Sequence, residues 1–198
     1  ADKIIITIKR IMKKYKMQPY NEDTGKGFLR HVLIRTGRAS GEVMVVLVTS
    51  HHVFHGKQNF VKILRKKHPE ITTMILNVNY RNTSMILGDT ESNMYGRGFI
   101  EDIICGMKFR ISSKSFYQIN PQQAAVLYDK AIEMADFKGH ERIIDAYSGV
   151  GTISLIVSDK VKEVIGVEIN NDGVRDAIRN SKSNNIDNVY FHRADAGE

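Results

Sequence analysis

The chain of 198 residues has little cysteine, tryptophan or proline: one cysteine, no tryptophan and three prolines. A single cysteine excludes an intramolecular disulfide and a cysteine-ligated metal cluster within this chain, and it fits a reducing compartment. No stretch approaches the ~18 uninterrupted apolar residues of a membrane span, and residues 1–10 lack the pattern of a secretory signal peptide. The sequence therefore predicts a soluble, cytoplasmic protein without a membrane partner.

Acidic residues are scarce in the first part of the chain. Residues 1–112 contain 19 lysines and arginines against 9 aspartates and glutamates, whereas residues 113–198 contain 10 against 13. The net charge is +10 in the first part and −3 in the second, which together give the +7 of the whole chain. A basic part beside a mildly acidic one indicates a polyanionic partner for the first, although lysine-rich faces also serve solubility alone.

The first part reads as a small α+β domain over residues 1–112. A helix with a lysine and arginine face opens it, and two β-branched-rich strands follow as a hairpin whose turn contains Gly37 and Gly41. A second helix ends before Pro69. We predict helices over 3–16 and 60–67, and strands over 30–35, 42–49, 72–79, 99–105 and 107–112.

Strands alternate with helices in the second part, over residues 113–198. Asn120 followed by Pro121 is a helix start, and this helix ends before Gly139. A later helix can be capped by Asn171 or Asp172. The strands are predicted over 142–145, 163–168 and 188–191, with a short helix over 152–157. This βαβαβ order predicts an α/β fold whose parallel sheet begins a Rossmann-like domain and is incomplete at three strands.

The main candidate site is a glycine turn after the first of these strands. Residues 145–151 read Asp-Ala-Tyr-Ser-Gly-Val-Gly, and Gly149 and Gly151 let the backbone approach a ligand there. Glu168 ends the next strand, where a carboxylate can bind both hydroxyls of a ribose, and Asp195 follows the third strand, near an adenine edge. One acidic residue at each successive strand end favours S-adenosylmethionine as the ligand.

Two other functions stay open on this pattern. An NAD-dependent oxidoreductase usually has Gly-x-Gly-x-x-Gly with the helix N-terminus facing a pyrophosphate, but Ser154 occupies the third glycine position here. A nucleic-acid-binding module with a degenerate nucleotide fold and no chemistry would also fit the basic first part. A glycine turn can be purely structural, and the carboxylates of Glu168 and Asp195 argue against that reading.

Several segments resemble the RNA uracil-5-methyltransferases, a family of class I S-adenosylmethionine-dependent enzymes. The Phe-x-Gln-x-Asn-Pro segment, one helix upstream of the glycine turn, is not a general feature of methyltransferases. The bacterial 23S rRNA branch of the family is more similar to this sequence than the tRNA branch. The resembling segments are 115–121 (Ser-Phe-Tyr-Gln-Ile-Asn-Pro), 127–128, 144–155, 166–168, 27–32 (Gly-Phe-Leu-Arg-His-Val) and 85–89 (Met-Ile-Leu-Gly-Asp).

The resemblance implies cofactor contacts at particular positions. Gln118 would contact S-adenosylmethionine, Tyr147 would pack against it and Thr152 would be a polar contact. Glu168 would bind the ribose and Asp195 the adenine. A buried amide that pins the neighbouring loop is the alternative role for Gln118.

The resemblance also places the catalytic groups outside this chain. In the family, a cysteine thiolate adds to carbon 6 of uracil, carbon 5 attacks the methyl group, and a base removes the proton from carbon 5. By this resemblance, the nucleophile, the base and an Asp-Pro-Pro-Arg loop would lie beyond residue 198, and the RNA-binding module and the iron–sulfur cluster found in many members would lie before residue 1. We therefore expect a truncated chain that holds no catalytic residue and no metal ligand and is inactive alone.

Two residues bear on this expectation. Cys105, in an apolar strand context, is predicted to be a small core residue rather than a nucleophile. Ser148 stands where a cysteine is common in the family, and we interpret that cysteine as a packing residue.

RNA, with 23S rRNA as the expected substrate, is the partner that the resemblance implies. The target base has to leave its stack, so the basic domain should hold backbone phosphates while the second domain presents the methyl group. Arg30, His31 and Arg35 are the candidate RNA contacts, and the alternative for each is an exposed strand residue without a role in binding.

Overall fold

The computed structural model describes residues 1–82 and 84–197, which divide into two compact units. Unit 1 comprises Ala1–Thr36 and Gly41–Ile100, and unit 2 comprises Gly37–Ser40 and Glu101–Glu198. Both units combine helices with sheets, as the predicted α/β class requires. Within the described residues, no helix has the length and apolar character that a membrane crossing needs.

Unit 1 contains a four-stranded mixed sheet in the order β1-β2-β3-β4. The predicted hairpin is confirmed, because β1 and β2 pair antiparallel, with Val32 opposite Leu47. Strands β2 and β3 are parallel and α2 connects them, whereas β3 and β4 are antiparallel. The elements are α1 (Asp2–Lys14), β1 (Leu29–Thr36), β2 (Val43–Thr49), α2 (Lys57–Lys67), β3 (Ile71–Val78) and β4 (Thr90–Tyr95).

The core of unit 1 lies between its two helices and one face of the sheet. The apolar stripe predicted for the first helix is buried at Ile4, Ile8 and Ile11, whereas Ile6 is exposed. Each buried side chain of this size contributes about 1.5–3 kcal/mol relative to exposure. The buried residues of β2 and β3 that complete this cluster with Phe60 and Leu64 of α2 are Val43, Val45, Leu47, Ile71, Met74 and Leu76.

Two buried asparagines hold the loop between β3 and β4. The Asn77 amide nitrogen donates to the Gly88 carbonyl at 2.9 Å, and the Gly88 N–H donates back to the Asn77 side-chain oxygen at 2.7 Å. Asn79 donates to the Met85 carbonyl at 2.7 Å. A Cβ on Gly88 would lie 1.9 Å from the Val78 carbonyl oxygen, so only glycine fits there. The segment 85–89 is therefore an anchored loop.

Unit 2 contains a two-stranded hairpin and a three-stranded parallel sheet in the order β7-β8-β9. The predicted parallel βαβαβ arrangement is confirmed by the pairing of Ile144 with Ile165 and of Gly166 with Phe191. The elements are β5 (Ile100–Ile104), β6 (Met107–Ile111), α3 (Pro121–Ala135), β7 (Arg142–Asp145), α4 (Thr152–Ile156), β8 (Glu163–Glu168), α5 (Asn171–Ser183) and β9 (Val189–Arg193), with a short 3₁₀ turn at Ser158–Lys160.

The predicted N-terminal cap is confirmed for α3 but not for α5. The Asn120 side chain accepts a hydrogen bond from the N–H of the third residue of α3, which confirms the predicted cap. The predicted cap of α5 at Asn171 or Asp172 is wrong, because the Asn170 side-chain oxygen accepts from the N–H groups of Asp172 at 2.9 Å and Gly173 at 3.3 Å. Helix α5 therefore begins almost directly after β8.

The side-chain amides of Asn180 in α5 and of Asn184, the residue that follows this helix, hold β6 in unit 2. The Arg110 N–H donates to the Asn180 side-chain oxygen at 2.7 Å, and the Lys108 N–H donates to that of Asn184 at 2.9 Å. These bonds satisfy the backbone of β6 along the helix side. The hairpin β5–β6 thus lies in unit 2, whereas the predicted boundary at residue 112 includes it in the first domain. The functional division into 1–112 and 113–198 stays a prediction.

Candidate cofactor-binding site

The glycine turn joins β7 to α4 at the carboxyl end of the parallel sheet. Gly149 has φ 55° and Gly151 has φ 83°, a left-handed conformation that side chains other than glycine rarely adopt. A Cβ on Gly151 would lie 2.7 Å from the Phe191 ring, whereas a Cβ on Gly149 would meet nothing within 4 Å. The turn is therefore closed behind Gly151 and open beside Gly149.

Glu168, at the tip of β8, faces this turn. One carboxylate oxygen accepts from the Gly149 N–H at 3.0 Å, and the other accepts from the Asn170 N–H at 2.6 Å. The side chain is half-buried. A carboxylate has about four acceptor sites, so two remain for ligand hydroxyls. The backbone N–H groups of Gly149 and Asn170 thus hold the Glu168 carboxylate in place beside the glycine turn, where the ligand is expected.

Gly173, in the first turn of α5, brings that helix against the same turn. A Cβ on Gly173 would lie 3.2 Å from both the Glu168 Cγ and the Gly149 carbonyl oxygen. A side chain there would be tight, so the Glu168 side chain or the Gly149 backbone would have to move by a few tenths of an ångström. Gly149, Glu168 and Gly173 together form a cradle made mostly of backbone.

Asp145 ends β7 and is held by a serine from α4. The Ser154 hydroxyl donates to the Asp145 carboxylate at 2.6 Å, and Ser154 is fully buried. This bond explains the serine at the third glycine position of the turn, because it orients the carboxylate at the end of the strand. Ser148 within the turn is also buried, which fits a packing position.

Gln118 lies beside Tyr128 of α3. Burial raises the pKa of the Tyr128 hydroxyl, a hydrogen bond with the Gln118 side chain opposes this rise, and the charge of Asp145 adds to it. Gln118 therefore contacts the Tyr128 hydroxyl, and its contact with a cofactor stays a prediction. The neighbouring Tyr117 hydroxyl donates to the buried Asp102 carboxylate at 3.3 Å, so the segment that carries Gln118 is anchored.

The remaining predicted cofactor contacts differ in exposure. Tyr147 is 83% exposed, and Thr152 is half-buried at the start of α4. Asp195 follows β9 in an exposed loop, where its carboxylate accepts from the Gly197 N–H at 2.9 Å. The Ala194 N–H donates to the Glu168 carbonyl at 3.3 Å, so this loop continues alongside the tip of β8. Cofactor contact by each of these residues stays a prediction.

The three residues predicted to contact RNA differ in accessibility. The Arg30 side chain is 1% exposed, and its guanidinium donates to the carbonyls of Asn79 and Arg81, both at 2.8 Å. It also pairs with Glu22 at 2.8 Å. The His31 side chain is 38% exposed, and Arg35 is half-buried. Arg30 thus holds neighbouring loops together, and RNA contact by these residues stays a prediction.

Cys105 is not a core residue, and that expectation is wrong. It is exposed in the turn of the β5–β6 hairpin and has φ 49°. Hairpin turns of two residues need positive φ, and the Cys105-Gly106 pair supplies it at both positions. Partial burial and then the charge of Asp129 raise the pKa of the thiol. A raised pKa disfavours the thiolate that a nucleophile requires.

Sequence reasoning missed three residues that shape the site. Phe191 closes the turn behind Gly151, Gly173 admits α5, and Asn180 donates to the Val150 carbonyl at 3.0 Å. A glycine in the first turn of a predicted helix was a usable signal, since glycine disfavours helix formation. Phe191 and Asn180 act through partners 30 or more residues away, which no local pattern reveals.

This geometry belongs to a known class of fold. The structure has the fold of class I S-adenosylmethionine-dependent methyltransferases. It matches Pyrococcus abyssi tRNA (uracil-54, C5)-methyltransferase in complex with S-adenosyl-L-homocysteine with a TM-score of 0.78 and 26% identity, covering 95% of this chain and 45% of that one. M. jannaschii tRNA m1G37 methyltransferase shares the fold alone, with a TM-score of 0.51 and 15% identity over 97% of this chain and 53% of that one.

The chain belongs to the tRNA (uracil-5-)-methyltransferase family, whose model matches residues 39–198. Among curated relatives, an uncharacterized RNA methyltransferase of Bacillus cereus is 43% identical over 96% of this chain and 42% of its own length. One of Listeria innocua is 40% identical over 100% of this chain and 44% of its own length. The chain thus spans less than half the length of these relatives.

Proposed function

We propose that this chain is the cofactor-binding part of an enzyme that methylates carbon 5 of uridine in 23S rRNA. The observation that supports it most is the Glu168 carboxylate held at the Gly149 N–H of the glycine turn. Membership of the uracil-5-methyltransferase family supports the reaction. The resemblance of the sequence to the bacterial 23S rRNA branch of the family supports the substrate.

The described residues fit S-adenosylmethionine, which would supply an electrophilic methyl group on a positively charged sulfur. Space beside Gly149 remains open on one side of the cradle. The ligand carries no phosphate, and a serine in place of the third glycine suits such a ligand. Gln118, Tyr147, Thr152 and Asp195 are the further residues that would hold it.

Each residue has a distinct task in this proposal. Glu168 accepts hydrogen bonds from the ribose hydroxyls while the Gly149 N–H keeps its carboxylate in place. Asp145, oriented by Ser154, adds negative charge at the strand end, which stabilises a cation nearby. Tyr147 is 83% exposed, so a ligand that packs on its ring would bury apolar surface that water now contacts.

We further propose that the nucleophile and the general base lie outside residues 1–198, so that this chain alone transfers no methyl group. Cys105, with its raised pKa, is a poor candidate for the nucleophile. An iron–sulfur cluster, if the whole protein carries one, would take its ligands from outside this chain. A tRNA substrate is the second candidate, favoured by the resemblance to the Pyrococcus abyssi enzyme, whose own substrate is tRNA.

Titration calorimetry with S-adenosylhomocysteine tests the cofactor site. Glu168→Gln should weaken binding about 10- to 100-fold, because a hydrogen bond to a charged group contributes about 1.5–3 kcal/mol. Glu163→Gln is the matched control, since it removes the same charge from the other end of β8, where Glu163 pairs with Arg142. Equal losses in the two variants, or binding of NAD instead, would contradict the proposed site.

Mapping of 5-methyluridine tests the substrate. The whole protein should methylate a 23S rRNA transcript and leave tRNA transcripts unmodified. The reverse preference would replace 23S rRNA by tRNA while keeping the reaction. Absence of 5-methyluridine from both RNAs, with the cofactor bound, would refute uridine methylation.

A further inference from the structure

The positive charge of unit 1 is concentrated on its two helices. Helix α1 carries five lysines and arginines and one carboxylate, Asp2, and helix α2 carries five with no carboxylate. The basic residues are Lys3, Lys9, Arg10, Lys13 and Lys14 in α1, and Lys57, Lys62, Arg65, Lys66 and Lys67 in α2.

The rest of unit 1 is electrically balanced. Outside the two helices it contains six lysines and arginines and six aspartates and glutamates, so the whole net charge of the unit comes from α1 and α2. Three of the six cations there have acidic partners: Arg30 lies 2.8 Å from Glu22, Arg97 lies 2.6 Å from Glu42, and Arg81 pairs with Asp89. These strand and loop arginines are therefore neutralised locally.

The helix cations are accessible and lack counter-charges. All five in α1 are exposed, and in α2 three are exposed while Lys57 and Arg65 are half-buried. Across residues 1–82 and 84–197, none of these ten side chains has a carboxylate oxygen within 4 Å of its charged nitrogens. Like charges at this density repel one another, so the arrangement has an electrostatic cost that an anionic partner would remove.

The two helices form one layer on the sheet, because α1 packs against α2 and both contribute to a single core. A groove of about 540 Å³ beside α2 is lined by Lys57, Lys62, Arg65 and Lys66 over Met94. The Arg65 guanidinium lies 3.7 Å above the Tyr95 ring, which holds its plane at the groove. Four cations thus surround one concave surface.

We propose that this helix layer, the exposed basic faces of α1 and α2, binds the phosphate backbone of RNA. The identity of the polyanion rests on the proposed function, whereas the location of the binding surface rests on the charge distribution. The apolar stripe of α1 is already buried in the core, so it is not free to insert into a membrane. A surface with ten cations and only scattered apolar side chains suits a polyanion that is gripped through its phosphates.

Salt-dependent binding of a fluorescein-labelled RNA stem-loop tests the proposal on the 198-residue chain. The helix variant, Lys13→Gln/Lys62→Gln/Lys66→Gln, should lose at least about tenfold in affinity at low salt. Its log–log salt slope should fall by about 2, since each phosphate contact contributes about 0.7–0.9. The control, Lys26→Gln/Lys162→Gln/Lys182→Gln, removes three exposed lysines elsewhere and should change affinity less than twofold.

Three results would overturn the helix layer as an RNA surface: equal losses in the two triple variants, no RNA binding by the unmodified chain at low salt, or equally tight binding to phosphatidylserine vesicles. Thermal unfolding of each variant shows that the fold is intact. Binding of S-adenosylhomocysteine, measured in parallel, should be the same in all three proteins. Failure of that binding in the unmodified chain would refute the cofactor site and leave the RNA result unaffected.

Discussion

The two sheets of the chain bury their strands to different extents. Strand β2 of unit 1 is buried along its whole length, Val43–Thr49, whereas β7 of unit 2 alternates and leaves Ile144 70% exposed. Unit 1 therefore has an apolar centre that carries a charged outer layer of helices. Unit 2 relies more on polar side chains, and its loops remain open to a ligand.

Single polar side chains stabilise separate segments of unit 2 through hydrogen bonds. Ser154 holds Asp145, Asn180 holds Val150, and the Asn188 side chain donates to the Ser158 carbonyl at 2.8 Å. In unit 1, by comparison, the largest cluster is formed by aliphatic residues and Phe60. The comparison teaches that a charged helix layer can rest on an apolar core, whereas a shaped turn needs polar side chains to hold its backbone.

The largest expected effect is on the apolar core of unit 1. Phe60→Ala removes a buried ring and should lower the free energy of unfolding by about 3–5 kcal/mol. Urea unfolding measures the loss, and Gln58→Ala on the exposed side of α2 should stay within about 0.5 kcal/mol. A loss below about 1 kcal/mol for Phe60→Ala would contradict the statement that unit 1 depends on its apolar core more than unit 2 does.

A smaller effect is expected at the shaped turn. Gly151→Ala should destabilise the protein by at least about 2 kcal/mol, because its positive φ and the Phe191 ring both oppose a Cβ. Gly149→Ala bears only the strain of φ, since its Cβ would meet nothing within 4 Å. It should nevertheless weaken S-adenosylhomocysteine binding in calorimetry. Unchanged binding would show that the open side of the turn does not face the cofactor.

The smallest effect concerns a single cap. Asn120→Ala should cost about 1 kcal/mol, because the N–H of Gln123 loses its acceptor. Asn120→Asp keeps an acceptor and should restore most of the stability in thermal unfolding. If the alanine and aspartate variants unfold at the same temperature, polar side chains stabilise unit 2 less than its hydrogen bonds indicate.

Local patterns predicted much of this architecture. Strands β7 and β8 have the predicted bounds, and the cap at Asn120 and the hairpin of β1 with β2 are confirmed. These features depend on residues close in sequence: alternation, β-branching, a turn or a cap. The glycine turn was recognisable for the same reason, since positive φ selects glycine directly.

Features that depend on distant partners were not predictable. Strand β4, Thr90–Tyr95, has a polar sequence and exists because β3 offers it an edge. Arg30 is buried because carbonyls 49 and 51 residues away accept its protons. Cys105 is exposed because its strand context ends one residue earlier, at Ile104. The RNA-facing and cofactor-facing roles of single residues remain predictions for the experiments above.

The Asn180 side chain connects two borders of the candidate site. Its oxygen accepts from Arg110 in β6, the strand that leads into the Gln118 segment, while its nitrogen donates to Val150 inside the glycine turn. A shift of the hairpin would therefore pull on the turn through one amide. Tolerance to insertions within β6 should accordingly be low, because a change in the register of Arg110 would be transmitted to the glycine turn.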